Sequence, residues 1–207
     1  IQLILAIFVM LGAMPVLAAV ATLIGKIDFG TSVKAAQAAN DQIMSAFLTI
    51  RSFPDFMLAF FVMAIIPAIG EELFFRGVLM RFAKQRSPDM VLPILFTAVV
   101  FAYTHSNIYG YLSIFLAGVL LAVIYNLTGS IWCSIVAHLC FNGSQVVAAY
   151  VAGSASALDD KTISYPLVIG GLVVFGISFY LLLKNKTPLP ANWSDNFTAK
   201  ELSENEY

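Results

Sequence analysis

The sequence predicts an all-α protein, a polytopic bundle of about six transmembrane helices. Three observations lead there. Of 207 residues, 60% are hydrophobic and only 11% are charged, against about 25% charged in ordinary soluble domains. The mean hydropathy is +0.87. The apolar residues also fall into long runs almost free of charge, of the length a helix needs to cross a bilayer. A lipid-exposed chain that was not helical would leave its backbone polar groups unpaired, so helices are the reading of these runs. The formal charge is −1, from 11 Lys+Arg and 12 Asp+Glu. That balance points to the lipid bilayer as a partner and gives no sign of nucleic acid.

Each element follows from its run. The first helix is read over residues 3–24, which carry no charge. It lacks the basic start of a signal peptide and is long enough to span. The chain begins at Ile1 rather than Met, and a native N-terminal segment is expected before it. Residues 25–54 follow as a connection. Within it residues 35–50 are polar early and apolar at Ile43, Met44, Phe47 and Leu48, as in a helix lying in the membrane interface or packed on the bundle. The second span is read at 56–84, broken by Glu71, Glu72, Arg76 and Arg81. The third is 91–106, the fourth 111–127, the fifth 130–151 and the sixth 165–183. Residues 1–183 are read as one transmembrane domain and 184–207 as a polar, flexible tail. Cys133 and Cys140 stand seven apart, two turns along one helix, too far for a bridge between them; small packing residues is their reading.

Lys and Arg in the short connections set the orientation. Arg81, Lys84 and Arg86 mark the second connection and Lys184 and Lys186 the start of the tail, while the connection before the sixth span holds Asp159, Asp160 and Lys161. Both termini and residues 81–86 are therefore expected in the cytoplasm. Lys26, Lys34 and Arg51 argue weakly the other way.

Few ionisable residues lie inside the spans: Glu71, Glu72, Arg76, His105 and His138, which include both histidines of the chain. A charge at membrane depth costs about 2.5–3.5 kcal/mol even on lenient scales, so such residues are candidates for function. Counting brings them together. Glu71 lies 17 residues before Pro88 and His105 lies 17 after it, so antiparallel helices joined there set both at one depth. His138 and Asn142 follow Gly129 by 9 and 13 residues, roughly 14 and 20 Å along the next helix. Glu72 and Arg76 are i, i+4 and can pair; so are Phe101 and His105, and His138 and Asn142. Glu71 is turned about 100° from Glu72, so the two carboxylates need not share a task.

Taken singly, these residues have plain readings. A Glu–Arg pair staples helices, a lone His packs, and Asn bonds a neighbouring helix. Glu71 resists this most, since Pro67 and Phe75 occupy its i−4 and i+4 positions. The common hydrolase and nucleotide motifs are absent. Ser113, Ser130, Ser134 and Ser144 show no paired base by spacing.

The motifs do match a family. Glu71-Glu72-Leu73-Phe74-Phe75-Arg76-Gly77 reads Glu-Glu-x-x-Phe-Arg-Gly. Phe101 to His105 reads Phe-x-x-x-His, and His138 to Asn142 reads His-x-x-x-Asn, preceded by Thr128-Gly129-Ser130-Ile131-Trp132. In this order, over residues 56–150, the chain resembles the CAAX protease and bacteriocin-processing (CPBP) family of intramembrane endopeptidases, to which the type II CAAX prenyl endopeptidases belong. The resemblance implies that Glu71 activates a water, that His105 helps orient or deprotonate it, and that His138 and Asn142 stabilise the oxyanion. Glu72 and Arg76 would support Glu71. It implies a peptide or membrane-protein substrate, and a multi-pass protein of a prokaryotic cell membrane. No cofactor is expected, because Asn suits an oxyanion better than it suits a metal. Zinc, held by Glu71, His105 and His138, is the alternative. Two other functions compete: a catalytically idle binding or immunity protein using the same polar cavity, and an ion or proton carrier, which would lack the inverted repeats common in transporters.

Overall fold

The computed structural model describes residues 1–153 and 163–195, and among them every regular element is helical. Seven helices follow in order: α1 (Gln2–Ile24), α2 (Thr31–Phe47), α3 (Phe53–Lys84), α4 (Val91–Thr104), α5 (Tyr111–Thr128), α6 (Ile131–Ala152) and α7 (Tyr165–Lys184). Five of them, α1, α3, α5, α6 and α7, are long and apolar enough to cross a membrane, and α4 is a shorter apolar helix. The expected polytopic bundle is therefore present, with α4 ending at Thr104 rather than at residue 106. Asp159, Asp160 and Lys161 lie outside the described residues, as do residues 196–207.

The bundle packs around α1 and α6. Leu5, Val9 and Met10 of α1 meet Leu121 and Ile124 of α5, Cys133 and Ala137 of α6 and Leu182 of α7 in the largest core cluster. Outward faces are apolar as well. Leu73 and Phe74 of α3, Phe96 and Val99 of α4, and Ile169 and Ile177 of α7 are all exposed. In water such a surface would aggregate; in hydrocarbon it is the expected coat.

Helix α3 starts three residues earlier than its apolar run suggests. Ser52 caps it, its Oγ accepting from Asp55 N at 3.3 Å, and Pro54 occupies the first turn, where a missing N–H costs nothing. Two stretches of α3 are π-helical, Phe61–Ile65 and Leu73–Leu79. In the first, Ile66 N–H bonds Phe61 O, five residues back. Pro67 follows at once and has no N–H for the carbonyl four residues before it, a recognised cause of local rewinding. The second stretch lies on the Glu-Glu-x-x-Phe-Arg-Gly motif. Widened turns of this kind cluster at functional sites.

Helix α2 buries none of its residues. Near it Phe29 stacks edge-on against Tyr109 of the α4–α5 connection, with ring centroids 5.4 Å apart. Ile43, Met44 and Phe47 are exposed, in keeping with a helix in the membrane interface.

Residues 185–195 have partners, in contrast to the loose tail expected from their composition. Thr187 N donates to Leu127 O at 2.9 Å and Leu189 N to Asn126 O at 3.2 Å. Gln2 Nε2 donates to Asn185 O at 2.7 Å, Gln85 Nε2 to Ser194 O at 3.0 Å, and Trp193 Nε1 to Tyr125 Oη at 3.1 Å. The stretch thus crosses the α5–α6 turn and ties it to the start of α1 and the end of α3.

Candidate active site

The six singled-out residues come together on three elements. Glu71, Glu72 and Arg76 stand on α3, His105 caps the C-terminal end of α4, and His138 and Asn142 stand one turn apart on α6. Two layers can be distinguished, one buried and one open.

The buried layer centres on Glu72, which is fully inaccessible. Its Oε1 accepts from Arg76 Nη1 at 2.7 Å and from His138 Nδ1 at 2.9 Å. Its Oε2 accepts from Ser134 Oγ, whose other acceptor is Leu121 O at 3.2 Å. Arg76, equally buried, donates through Nη2 to Gly118 O at 2.8 Å and lies over the Phe101 ring, 5.1 Å from its centroid. Burying two charges is tolerable only when most of their hydrogen-bonding capacity is met; here three helices contribute to meeting it, and Arg76 Nε is left without a partner among the described residues. Gly118 permits the close approach of α4 to α5: a Cβ there would stand 3.1 Å from Phe101 Cδ1 and 3.3 Å from Ala98 Cα.

The sequence placed Glu72 and Arg76 in support of Glu71. The hydrogen bonds of Glu72 instead reach Arg76, His138 and Ser134, so its support enters the site through His138. The physical reason is the rotation of about 100° between adjacent helical residues. Ser134 was passed over for want of a paired base. Its acceptor is on another helix, and the usable signal was its position four residues before His138.

The open layer surrounds Glu71, one third exposed. Its Oε2 lies 3.9 Å from His105 Nε2 and 3.8 Å from His138 Nε2, and that oxygen is buried with no hydrogen-bond partner. Both imidazoles can be assigned a tautomer. His105 Nδ1 stands 2.7 Å from Phe101 O; a carbonyl only accepts, so Nδ1 carries the proton and Nε2 a lone pair. His138 Nδ1 donates to the Glu72 carboxylate, and its Nε2 receives Asn142 Nδ2 at 3.2 Å. The His105 lone pair and the Glu71 carboxylate oxygen therefore face each other, with His138 Nε2 and its Asn142 donor beside them. A cavity of about 270 Å³ opens beside them, lined by Glu71, Phe74, Phe75, Thr104 and His105. The cavity lies between α3 and the end of α4, and Phe74 beside it stands on the exposed face of α3.

The zinc alternative can be tested on the donor set. Glu71, His105 and His138 form no metal-holding group among the described residues. The Nε2 lone pair of His138 is engaged by the Asn142 amide, and a carboxamide N–H cannot replace a ligand. Zinc could join Glu71, His105 and His138 only if Asn142 released His138 Nε2.

Residues 53–144, from the start of α3 to just beyond Asn142, match the family model described as Type II CAAX prenyl endopeptidase Rce1-like. The match takes in all three motifs and accords with the resemblance drawn from them. No curated protein and no solved structure matches the chain.

Proposed function

We propose that this chain, whose residues 53–144 belong to the Rce1-like CAAX protease family, is an intramembrane endopeptidase that hydrolyses a peptide bond with a water activated by Glu71. One observation carries the reading. Glu71 Oε2 is buried and unpartnered, and the Nε2 atoms of His138 and His105 face it at 3.8 and 3.9 Å. Two acceptors, Glu71 Oε2 and the His105 Nε2 lone pair, repel one another unless a donor lies between them. A water there donates one hydrogen to Glu71 Oε2 and the other to His105 Nε2, leaving an oxygen lone pair for the substrate carbonyl carbon.

Each step then has a residue. Glu71 takes the water proton as the oxygen adds to the carbonyl carbon, and His105 keeps the water aligned. The resulting oxyanion needs donors. Asn142 has a second amide N–H to give. His138 spends Nδ1–H on Glu72, so it donates through Nε2 only as imidazolium. The C–N bond breaks as the proton held by Glu71 passes to the amine nitrogen. No step is drawn through a metal. The cavity's place between two apolar helices of the bundle supports a membrane-resident peptide or protein as substrate.

The test is cleavage of fluorogenic membrane peptides, farnesylated CAAX peptides among them, by the purified protein in liposomes. Glu71→Gln is expected to lower the rate by about 10²–10⁴-fold while the protein stays folded, and chelator is expected to leave the wild-type rate intact. Full activity of Glu71→Gln would sink the assignment. Loss of activity on chelation, restored by zinc, would overturn the metal-free route. Peptide binding without cleavage by the wild type would leave the binding-protein reading in its place.

A further inference from the structure

We propose that Ser134 is a positioning residue of this site: its hydroxyl holds the Glu72 carboxylate, and through Glu72 it fixes the ring of His138. The proposal rests on the hydrolase reading above and deepens it.

Ser134, His138 and Asn142 stand at i, i+4 and i+8 on α6, which makes one stripe facing α3. The first two are buried, Ser134 completely. Glu72 divides its acceptor capacity between them. Oε1 receives Arg76 and His138, and among the described residues Ser134 is the donor to Oε2. Removing that hydroxyl leaves a buried carboxylate oxygen without a donor. The carboxylate can then turn both oxygens toward Arg76, whose guanidinium accommodates a two-pronged partner, and the acceptor for His138 Nδ1–H moves with it. An imidazole's tautomer is set by the acceptor its other nitrogen finds. The consequence falls on Nε2, the atom that faces Glu71 and Asn142.

A purely structural serine would affect stability alone. A positioning serine also alters turnover and the state of His138. In Ser134→Ala the turnover number is expected to fall about 10- to 100-fold, the size of one charge-assisted hydrogen bond, with KM within about twofold. The pH–rate profile should shift with it. Ser134→Thr keeps an Oγ and should restore both. The imidazole nitrogen resonances of labelled His138 should report one tautomer in the wild type and a mixture in Ser134→Ala. Unchanged turnover, pH profile and His138 resonances in a folded Ser134→Ala would overturn the proposal. Should that variant not fold, Ser134→Cys, with its weaker donor, is expected between alanine and wild type; a wild-type-like cysteine variant would overturn the proposal equally. If the wild type cleaves no peptide at all, the hydrolase reading fails, and the resonances still decide what Ser134 does.

Discussion

At the scale of single residues, the buried Glu72–Arg76 pair governs how the site tolerates change. Arg76→Met leaves Glu72 charged and buried with one of its three donors among the described residues removed, and breaking such a pair costs about 3–5 kcal/mol. Removing both charges in Glu72→Gln/Arg76→Met should recover much of that loss, because no uncompensated charge remains. Unfolding in mixed detergent micelles measures both variants, and a double variant less stable than Arg76→Met would contradict the argument. Gly118 belongs to the same cluster. Gly118→Leu pushes Phe101 and Ala98 away from α5 and is expected to cost about 1–3 kcal/mol by overpacking, read as a lowered Tm. Much of this cluster was legible beforehand. Glu72 and Arg76 are one turn apart, and the two histidines and Asn142 could be brought to their depth by counting residues. Spacing sets Ser134 on the face of His138, but its bond to Glu72, like that of the Gly118 carbonyl to Arg76, could not be read, because these partners are on other helices and no spacing along one chain encodes a lateral contact.

At the scale of elements, apolar periodicity located the spans but was silent on how they twist and end. The π-helical stretches of α3 leave no trace in a helix that is apolar on almost every side. The end of α4 at Thr104 follows from Ser106, which adopts a positive φ of 50°, a local backbone choice that hydropathy does not register. The crossing of α1 and α7 shows how close two spans approach. A Cβ on Gly12 would stand 2.5 Å from Phe175 N, and one on Gly171 would stand 2.7 Å from Gly12 O. Small residues at such crossings let backbones touch. Gly12→Val should therefore separate the two helices and lower Tm by several degrees, and an unchanged Tm would remove the close crossing as a source of stability. Helix α2 is held at its start by charge instead. Asp28 accepts from Gly30 N at 2.8 Å and from Lys34 Nζ at 2.9 Å. These bonds, the lysine first, lower the Asp28 pKa below its ordinary 3.8, and Asp28 raises that of Lys34 above its ordinary 10.5. The Asp28 contribution is present above pH 3.8 and disappears as pH falls through its lowered value; the Lys34 contribution disappears as pH rises through its raised one. Amide exchange at Gly30 should thus be slow between these limits and quicken beyond either, and salt should weaken the effect.

At the scale of the whole molecule, the contacts of residues 185–195 bring three distant parts of the chain to one end of the bundle: Gln2, the end of α3 at Gln85, and the start of the tail. The described residues begin and end at the same end of the bundle, which gives an even number of passes when α4 counts as one. The basic residues at that end carry the proposal that it faces the cytoplasm, which thiol labelling tests. In a variant lacking Cys133 and Cys140, Arg86→Cys should react with a membrane-impermeant thiol reagent only in inside-out vesicles and Asp41→Cys only in right-side-out ones. The reverse pattern would invert the topology. Helix α4 gives this arrangement a further consequence. Its 14 residues rise about 21 Å, some 9 Å short of a typical hydrocarbon core of about 30 Å. His105 stands at the short end, so the far leaflet must sag toward it or expose unpaired backbone to the lipid tails. The proposed endopeptidase should therefore sense membrane thickness: reconstituted in bilayers of increasing acyl length, turnover should decline as thicker lipid seals off the water over His105, with the fold intact.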